Sequence, residues 1–283
     1  MSEPVTAAKC GALLDALRVK KPLVHFITNY VTVNDCANIT LAVGGAPVMS
    51  DQPDDAAEIC RLASALVFNI DTPGDRTLEA MLRAGKAANE AGIPVVLDPV
   101  GAGASSFRNR LLEKILEEVK FAAVKGNISE IRFLASGTGK SMGVDASKDD
   151  IALGSDSSAV ARLAAGLSRG IGAVVIVSGR IDVAADGERA YGISNGDAMM
   201  GRLTGTGCMG SGVVASFLGS APGESLASSI AGMCVMGLAG ELARKKLAPS
   251  SGTGTYRTLL MDEVSCMTGS VLENGVRLSQ IVL

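Results

Sequence analysis

The sequence has no tryptophan and a single histidine, His25, among its 283 residues. It has six cysteines (Cys10, Cys36, Cys60, Cys208, Cys234, Cys266), and no two of them form a C-x-x-C pair. A structural Cys/His zinc site therefore has too few ligands at usable spacing. Nor is there a disulfide framework, and widely scattered free thiols suit a reducing compartment. Basic charge is not in excess: 26 Lys+Arg stand against 29 Asp+Glu, a net charge of −3. That balance leaves no electrostatic footprint for nucleic acid. Long apolar runs are missing as well. The nearest, residues 225–242, is broken by Ser, Gly and Glu241 and reads as a core helix rather than a membrane span. Residues 1–5 hold no signal-peptide core, so the expectation is a cytoplasmic protein with no membrane contact.

What is abundant is small and apolar. Hydrophobic residues make up 47% of the chain while aromatics make up 3%, so the core is built from Ala, Val, Leu, Ile and Met. Such side chains suit close packing of helices on a sheet. Helical spacing covers residues 7–17, ended by Pro22, and Leu23-Val24-His25-Phe26-Ile27 reads as a buried strand. Thr32 is placed to cap the next helix, which Gly44-Gly45 stop. Extended stretches follow at 46–49, 65–70, 94–97, 122–124 and 173–177, each separated by a helical pattern. Strand and helix alternate at crossover spacing, which predicts a mostly parallel, doubly wound sheet. Asp186-Gly187 between two extended runs signals a hairpin, hence an antiparallel addition in the second half. Three helices are predicted near 208–219, 224–245 and 254–267. No repeat or linker divides the chain, so residues 1–283 read as one α/β domain.

One stretch concentrates the chemistry: Leu203-Thr204-Gly205-Thr206-Gly207-Cys208-Met209-Gly210-Ser211-Gly212. Gly205 and Gly207 allow close approach to the backbone, and an apolar helical pattern follows. A glycine loop opening a helix presents unpaired N–H groups that favour negative charge. Cys208 then falls in the first helical turn, where the helix field favours thiolate. The bland alternative is a tightly packed helix start with Cys208 as small filler. Gly205-x-Gly207-x-x-Gly210 matches the dinucleotide fingerprint formally, but residues 197–202 are a poor strand. Gly137-Thr138-Gly139-Lys140-Ser141 looks like the end of a P-loop, yet Leu134 stands where the first glycine is needed. Residues 137–158 read instead as a polar surface excursion.

Five strings occur together: Val24-His25-Phe26-Ile27-Thr28-Asn29, Ala46-Pro47-Val48-Met49, Asp98-Pro99-Val100-Gly101, Lys125-Gly126-Asn127-Ile128-Ser129-Glu130 and Thr204-Gly205-Thr206-Gly207-Cys208. In this order, from about residue 13 to 245, they resemble the hydroxyethylthiazole kinase family. The resemblance implies a ribokinase-like fold and transfer of the ATP γ-phosphoryl group to 4-methyl-5-(2-hydroxyethyl)thiazole with Mg²⁺. It implies that Met49 and Asn29, with Gly205 and Gly207, hold the thiazole alcohol. Asp98 and Glu130 become the Mg²⁺ carboxylates, and Lys125, Asn127 and Ser178 the nucleotide contacts. Cys208, Gly205, Thr206 and Gly207 become the catalytic loop. A homotrimer with sites between subunits is also implied. Lys125 stands where arginine is common, keeping charge but losing a bidentate fork. Ser178 replaces a usual threonine, and Asp71-Thr72-Pro73 departs from a usual Gly-Thr.

Each of these residues has a structural role available. Asp98 can be a strand-end turn residue, Glu130 can close a capping box with Asn127, and Met49 and His25 can be core. Two other activities fit the fold: an ATP-dependent dehydratase of hydrated nicotinamide cofactors, and a nucleotide-binding regulator without catalysis.

Overall fold

The computed structural model describes residues 3–136, 154 and 156–283. Its centre is a nine-stranded sheet: β1 Leu23–Ile27, β2 Ala46–Met49, β3 Ala65–Asn69, β4 Val95–Asp98, β5 Ala123–Asn127, β6 Val174–Ser178, β7 Asp182–Ala185, β8 Ala190–Ile193 and β9 Leu278–Ile281. The order across the sheet is β2-β1-β3-β4-β5-β6-β7-β8-β9. Every pair from β2 to β6 is parallel, and β6 to β9 pair antiparallel. This is the mostly parallel sheet with an antiparallel addition expected from the sequence.

The parallel strands are continuous apolar runs because helices cover both faces. Phe26, Val67, Val96, Ala123 and Ile176 point to one face, beneath the helices Ala7–Lys20, Val33–Val43, Thr206–Ser220 and Ser225–Lys246. Leu66, Phe68, Leu97, Val124 and Val175 point to the other, beneath Asp75–Ala91, Ser106–Glu118, Ile128–Ala135 and Ser157–Ile171. Period-two alternation then dictates where the polar strand ends go. Asn69, Asp98 and Lys125 lie two residues beyond Val67, Val96 and Ala123, so the pleat turns them toward the helix Thr206–Ser220. Register puts Asn69 beside Asp98 and Asn127 beside Ser178.

The scarcity of aromatics shows in the packing. A Cβ on Gly212 would meet the Phe26 ring at 3.0 Å, so the helix Thr206–Ser220 lies close on β1. Another on Gly232 would meet the Val214 backbone at 3.0 Å, so the next helix lies equally close on that one. Fully burying a side chain such as Phe26, Phe68 or Phe217 contributes about 1.5–3 kcal/mol, and all three are buried to 1% exposure or less. The helix Ser225–Lys246 is long and apolar enough to span a membrane, but 89% of its most apolar window is buried in the protein. It is the core helix its interrupting polar residues indicated.

Several local readings change. Thr32 is the N-cap residue but makes no capping bond; its hydroxyl donates to Asn29 Oδ1 at 3.1 Å instead. Strand β5 runs on through Lys125-Gly126-Asn127, where pairing with β6 holds polar residues extended. The glycine-loop helix starts at Thr206, two residues earlier than its apolar pattern. The 3₁₀ turn Ala198–Arg202, the helix Gly269–Gly275 and β9 have no counterpart in the sequence reading. Residues Gly137-Thr138-Gly139-Lys140-Ser141 lie outside the described residues, as does most of the 137–158 stretch. Ser157 and Ser158 at its end already belong to a helix capped by Asp156.

Candidate active site

The C-terminal edge of a parallel sheet is where open α/β folds hold ligands, at the point where strand order reverses. Here β1 has β2 on one side and β3 on the other. Met49, Asn69, Asp98, Asn127 and Ser178 are the last residues of β2, β3, β4, β5 and β6, and Asn29 follows β1 by two. The fold therefore brings every residue singled out on the strands to one edge. The glycine loop reaches the same edge from above, because its helix packs on β1, β3 and β4.

Asp98 is buried at 3% exposure. Its Oδ2 accepts from Asn69 Nδ2 at 3.0 Å and from Ser211 Oγ at 2.9 Å. Burial pushes its carboxyl up, opposed by Lys125, Ser211 and Asn69. Asn69 Nδ2 also donates to the Cys208 sulfur at 3.2 Å, and Asn29 Nδ2 reaches that sulfur at 3.6 Å. Asp98 and Cys208 thus share one amide nitrogen.

Cys208 does sit in the first turn of its helix, but the thiolate expected there is not favoured. Burial pushes the thiol up, Asp98 pushes it further, and Thr32, Lys125 and Asn69 only partly offset this. A helix start contributes roughly 0.3–1 kcal/mol to an anion, and here desolvation in a half-buried site outweighs it.

Gly205 caps the helix at φ +90°, and a Cβ there would strike Thr32 Cγ2 at 2.7 Å. Only glycine takes that angle without strain. Thr206 Oγ1 donates back to the Met200 carbonyl at 3.2 Å, which ties down the loop. Lys125, itself buried, donates from Nζ to the Gly207 carbonyl at 2.9 Å. A fixed ammonium and the unpaired N–H groups of a helix start therefore converge at one point, a setting made for anionic oxygen.

Glu130 accepts from the Gly101 N–H at 3.0 Å and from the Asn127 N–H at 2.8 Å. Asn127 Oδ1 in turn accepts from the Glu130 N–H, so the capping box is real. Burial pushes the Glu130 carboxyl up against those two backbone donors, with Asp98 adding to the rise. Ser178 Oγ donates to the Gly126 carbonyl at 3.3 Å. Lys125, Ser178, Thr206 and Gly207 open into a cleft of about 480 Å³, with Met200, Met233 and Met236 along its other wall. Met49 is half-buried against the core on the opposite side of this edge.

Four polar residues at the site were given no role by the sequence. Asn69 and Ser211 hold Asp98. Arg108 donates to the carbonyls of Ile70, Asp71 and Val100, joining the loops after β3 and β4. Asp182, its carboxyl pushed up to about 6 by burial, faces the cleft. The available signals were slight: Asn69 ends an apolar strand in register with Asp98, and Ser211 is one helical turn past Gly207. A larger hollow of about 1150 Å³ lies at the other edge of the sheet, with the ion pairs Lys9–Glu224 and Arg189–Asp186 among its lining residues.

Comparison with known proteins agrees with the geometry. The profile of the hydroxyethylthiazole kinase family matches residues 14–270. A hydroxyethylthiazole kinase from Clostridium beijerinckii is 44% identical over 273 residues, covering 96% of this chain and 98% of that one. The structure of a hydroxyethylthiazole kinase protein from Pyrococcus horikoshii superposes with a TM-score of 0.84 at 32% identity, over 96% of this chain and 99% of that one. Pyridoxal kinase from Staphylococcus aureus, in complex with pyridoxal, superposes at 0.61 with 12% identity, over 92% and 98%. That last likeness shows the fold alone, which is ribokinase-like as the sequence implied. The chain belongs to the hydroxyethylthiazole kinase family.

Proposed function

We propose that this chain transfers the γ-phosphoryl group of ATP to the hydroxyl of 4-methyl-5-(2-hydroxyethyl)thiazole. The observation that carries this is the convergence of the glycine-loop helix start, Lys125 and Asp98 at the C-terminal edge of the sheet. Phosphoryl transfer asks mainly for positioning and for neutralisation of spreading charge. The N–H groups of residues 205–208 and the Lys125 ammonium meet that demand without reorganisation.

The acceptor hydroxyl approaches from the Met49 and Asn29 side, where a soft sulfur and an amide suit a flat, weakly polar ring. The nucleotide lies in the cleft beside Lys125 and Ser178, with Asn127 in register with Ser178 at the end of β5. As the acceptor O–P bond forms, the bond to the β-phosphate oxygen breaks and ADP leaves. Cys208 takes the hydroxyl proton, drawing on the small thiolate fraction that a raised pKa leaves. Asp98 and Glu130 fit Mg²⁺: both are buried carboxylates with their remaining contacts to neutral donors. Among the described residues no group of three or more His, Cys, Asp or Glu forms a protein-only metal cage. Such a donor set suits a cation that keeps waters and phosphate oxygens in its shell. Bound there, Mg²⁺ supplies positive charge against the phosphate oxygens.

The continuous sheet supports reading residues 1–283 as one kinase domain, and free thiols support a cytoplasmic location. Tyr30 and Val31, 81% and 54% exposed beside Asn29, and the open edge of β2 support a homotrimer with sites between subunits. Sedimentation of the protein at several concentrations tests the trimer. A coupled assay of ADP formation with MgATP tests the activity. ADP release that does not depend on the thiazole alcohol counts against the proposed acceptor.

A further inference from the structure

Asn69 is 3% exposed, ends an otherwise apolar strand, and uses both ends of its carboxamide. The way the amide faces follows from backbone donors alone. The Asp71 N–H donates to Asn69 Oδ1 at 3.0 Å, so that atom is the oxygen and the nitrogen faces the other way. The Thr32 N–H donates to Asn29 Oδ1 at 2.9 Å, so Asn29 Nδ2 is left to donate to Asn69 Oδ1, at 3.0 Å. Two backbone amides thus orient the relay from behind. At its front, the two hydrogens of Asn69 Nδ2 go to Asp98 Oδ2 at 3.0 Å and to the Cys208 sulfur at 3.2 Å.

We propose that Asn69 is a positioning residue for phosphoryl transfer, whose one amide nitrogen sets the Cys208 sulfur at a fixed place relative to the Asp98 carboxylate. The proposal rests on the reading of this edge as the kinase centre. Three features separate this from a purely structural strand-end bond. Asn69 touches no backbone carbonyl in the ladder with its donor. Both its acceptors are side chains assigned to the reaction. And it bridges two chain segments 110 residues apart, β4 and the glycine-loop helix, that must keep their spacing for nucleophile and phosphate to align. An error of that spacing acts on the rate rather than on nucleotide affinity.

The test is a double-mutant cycle of Asn69→Ala with Cys208→Ala, read by steady-state kinetics with MgATP and the thiazole alcohol. Asn69→Ala is expected to lower kcat by roughly 10- to 100-fold while the KM for MgATP stays within about threefold. In the Cys208→Ala background the same change should cost less, by about threefold or more, because the two residues act through one contact. Asn69→Leu keeps much of the volume and removes the donor without setting a second carboxylate against Asp98, 3.0 Å from the amide nitrogen. It should show the same kcat loss, and it serves in the cycle if the alanine variant does not fold. Equal losses in both backgrounds, a change confined to KM, or Asn69→Leu turning over like wild type would each overturn the inference. Wild type without acceptor-dependent turnover would instead overturn the kinase reading on which it rests.

Discussion

Replacing Cys208 separates its chemistry from that of the loop around it. A thiol at its ordinary pKa of about 8.5 is roughly a tenth thiolate at pH 7.5. Burial and the nearby Asp98 push Cys208 higher, so its thiolate fraction at that pH is smaller still. A carboxylate at the same place meets the same burial and the same Asp98, but starts from a far lower pKa, so more of it is ionised near neutrality, though it is the weaker base. General-base help is worth about 10²–10⁴-fold, and the glycine loop with Lys125 retains the rest. Cys208→Ser is therefore expected to lower turnover by about 10²-fold or more without abolishing it. Cys208→Asp is expected to keep at least roughly a tenth of wild-type turnover. The assay is the pH–rate profile at saturating thiazole alcohol and MgATP. Wild type should gain rate with pH through the neutral and mildly alkaline range, following thiol ionisation. The aspartate variant should reach its plateau at lower pH. Cys208→Ala turning over like wild type, with the same acidic limb, would refute this reasoning. Cys208 would then be a small residue that lets Gly205 and Thr32 approach.

Gly207→Val is expected to abolish turnover with little loss of Tm. A Cβ there meets only Lys125 Nζ, at 3.7 Å, so the added bulk fills ligand space rather than core; calorimetry beside the ADP assay checks both halves. Asp98→Asn and Glu130→Gln should each weaken the Mg²⁺ dependence of turnover more than the KM for the thiazole alcohol. Glutamine keeps the capping-box acceptor but turns its NH2 toward the Gly101 N–H that Glu130 Oε1 now accepts, so Glu130→Gln should cost about 1–3 kcal/mol of stability; unchanged Mg²⁺ titrations in both variants would make the two residues structural. His25 gives a pH-dependent stability. Its Nε2 donates to the Ser50 carbonyl at 2.8 Å, and Nδ1 has no partner among the described residues. Burial lowers its pKa against that bond and Asp55, so the unfolded chain binds the proton first. Stability should fall as pH drops from about 6.5 toward the lowered folded value, and His25→Asn should flatten that fall in urea titrations.

Strand alternation made much of this molecule legible before any coordinates. Apolar runs such as Val174-Val175-Ile176-Val177 and the Asp186-Gly187 turn located β6 to β8, and the polar residue ending β4 was already marked as a ligand. What stayed hidden was held by pairing rather than by pattern. Strand β9 is Leu278-Ser279-Gln280-Ile281, too short and too exposed to announce itself, and it exists because β8 offers an edge. Lys125-Gly126-Asn127 looks like a turn and is extended because β6 lies beside it. The candidate site was visible in the sequence as strings, Cys208 in the glycine loop and Asp98 and Glu130 in motifs that the family resemblance singled out. It was not legible at Asn69, Ser211 and Arg108, whose roles come from distant segments meeting in space. The helix-start argument for a Cys208 thiolate failed because a local field was weighed without the desolvation that only packing reveals.

The identity of the phosphoryl acceptor remains the sharpest point of attack. Purified wild-type protein, MgATP and the thiazole alcohol would be incubated together, with ADP measured enzymatically and the thiazole followed by mass spectrometry. The structure and the family predict one phosphorylated thiazole alcohol per ADP formed, and no ADP above background when the alcohol is omitted. ADP formation without a phosphorylated thiazole, or full activity without the alcohol, would contradict the assignment of this edge as an alcohol kinase site.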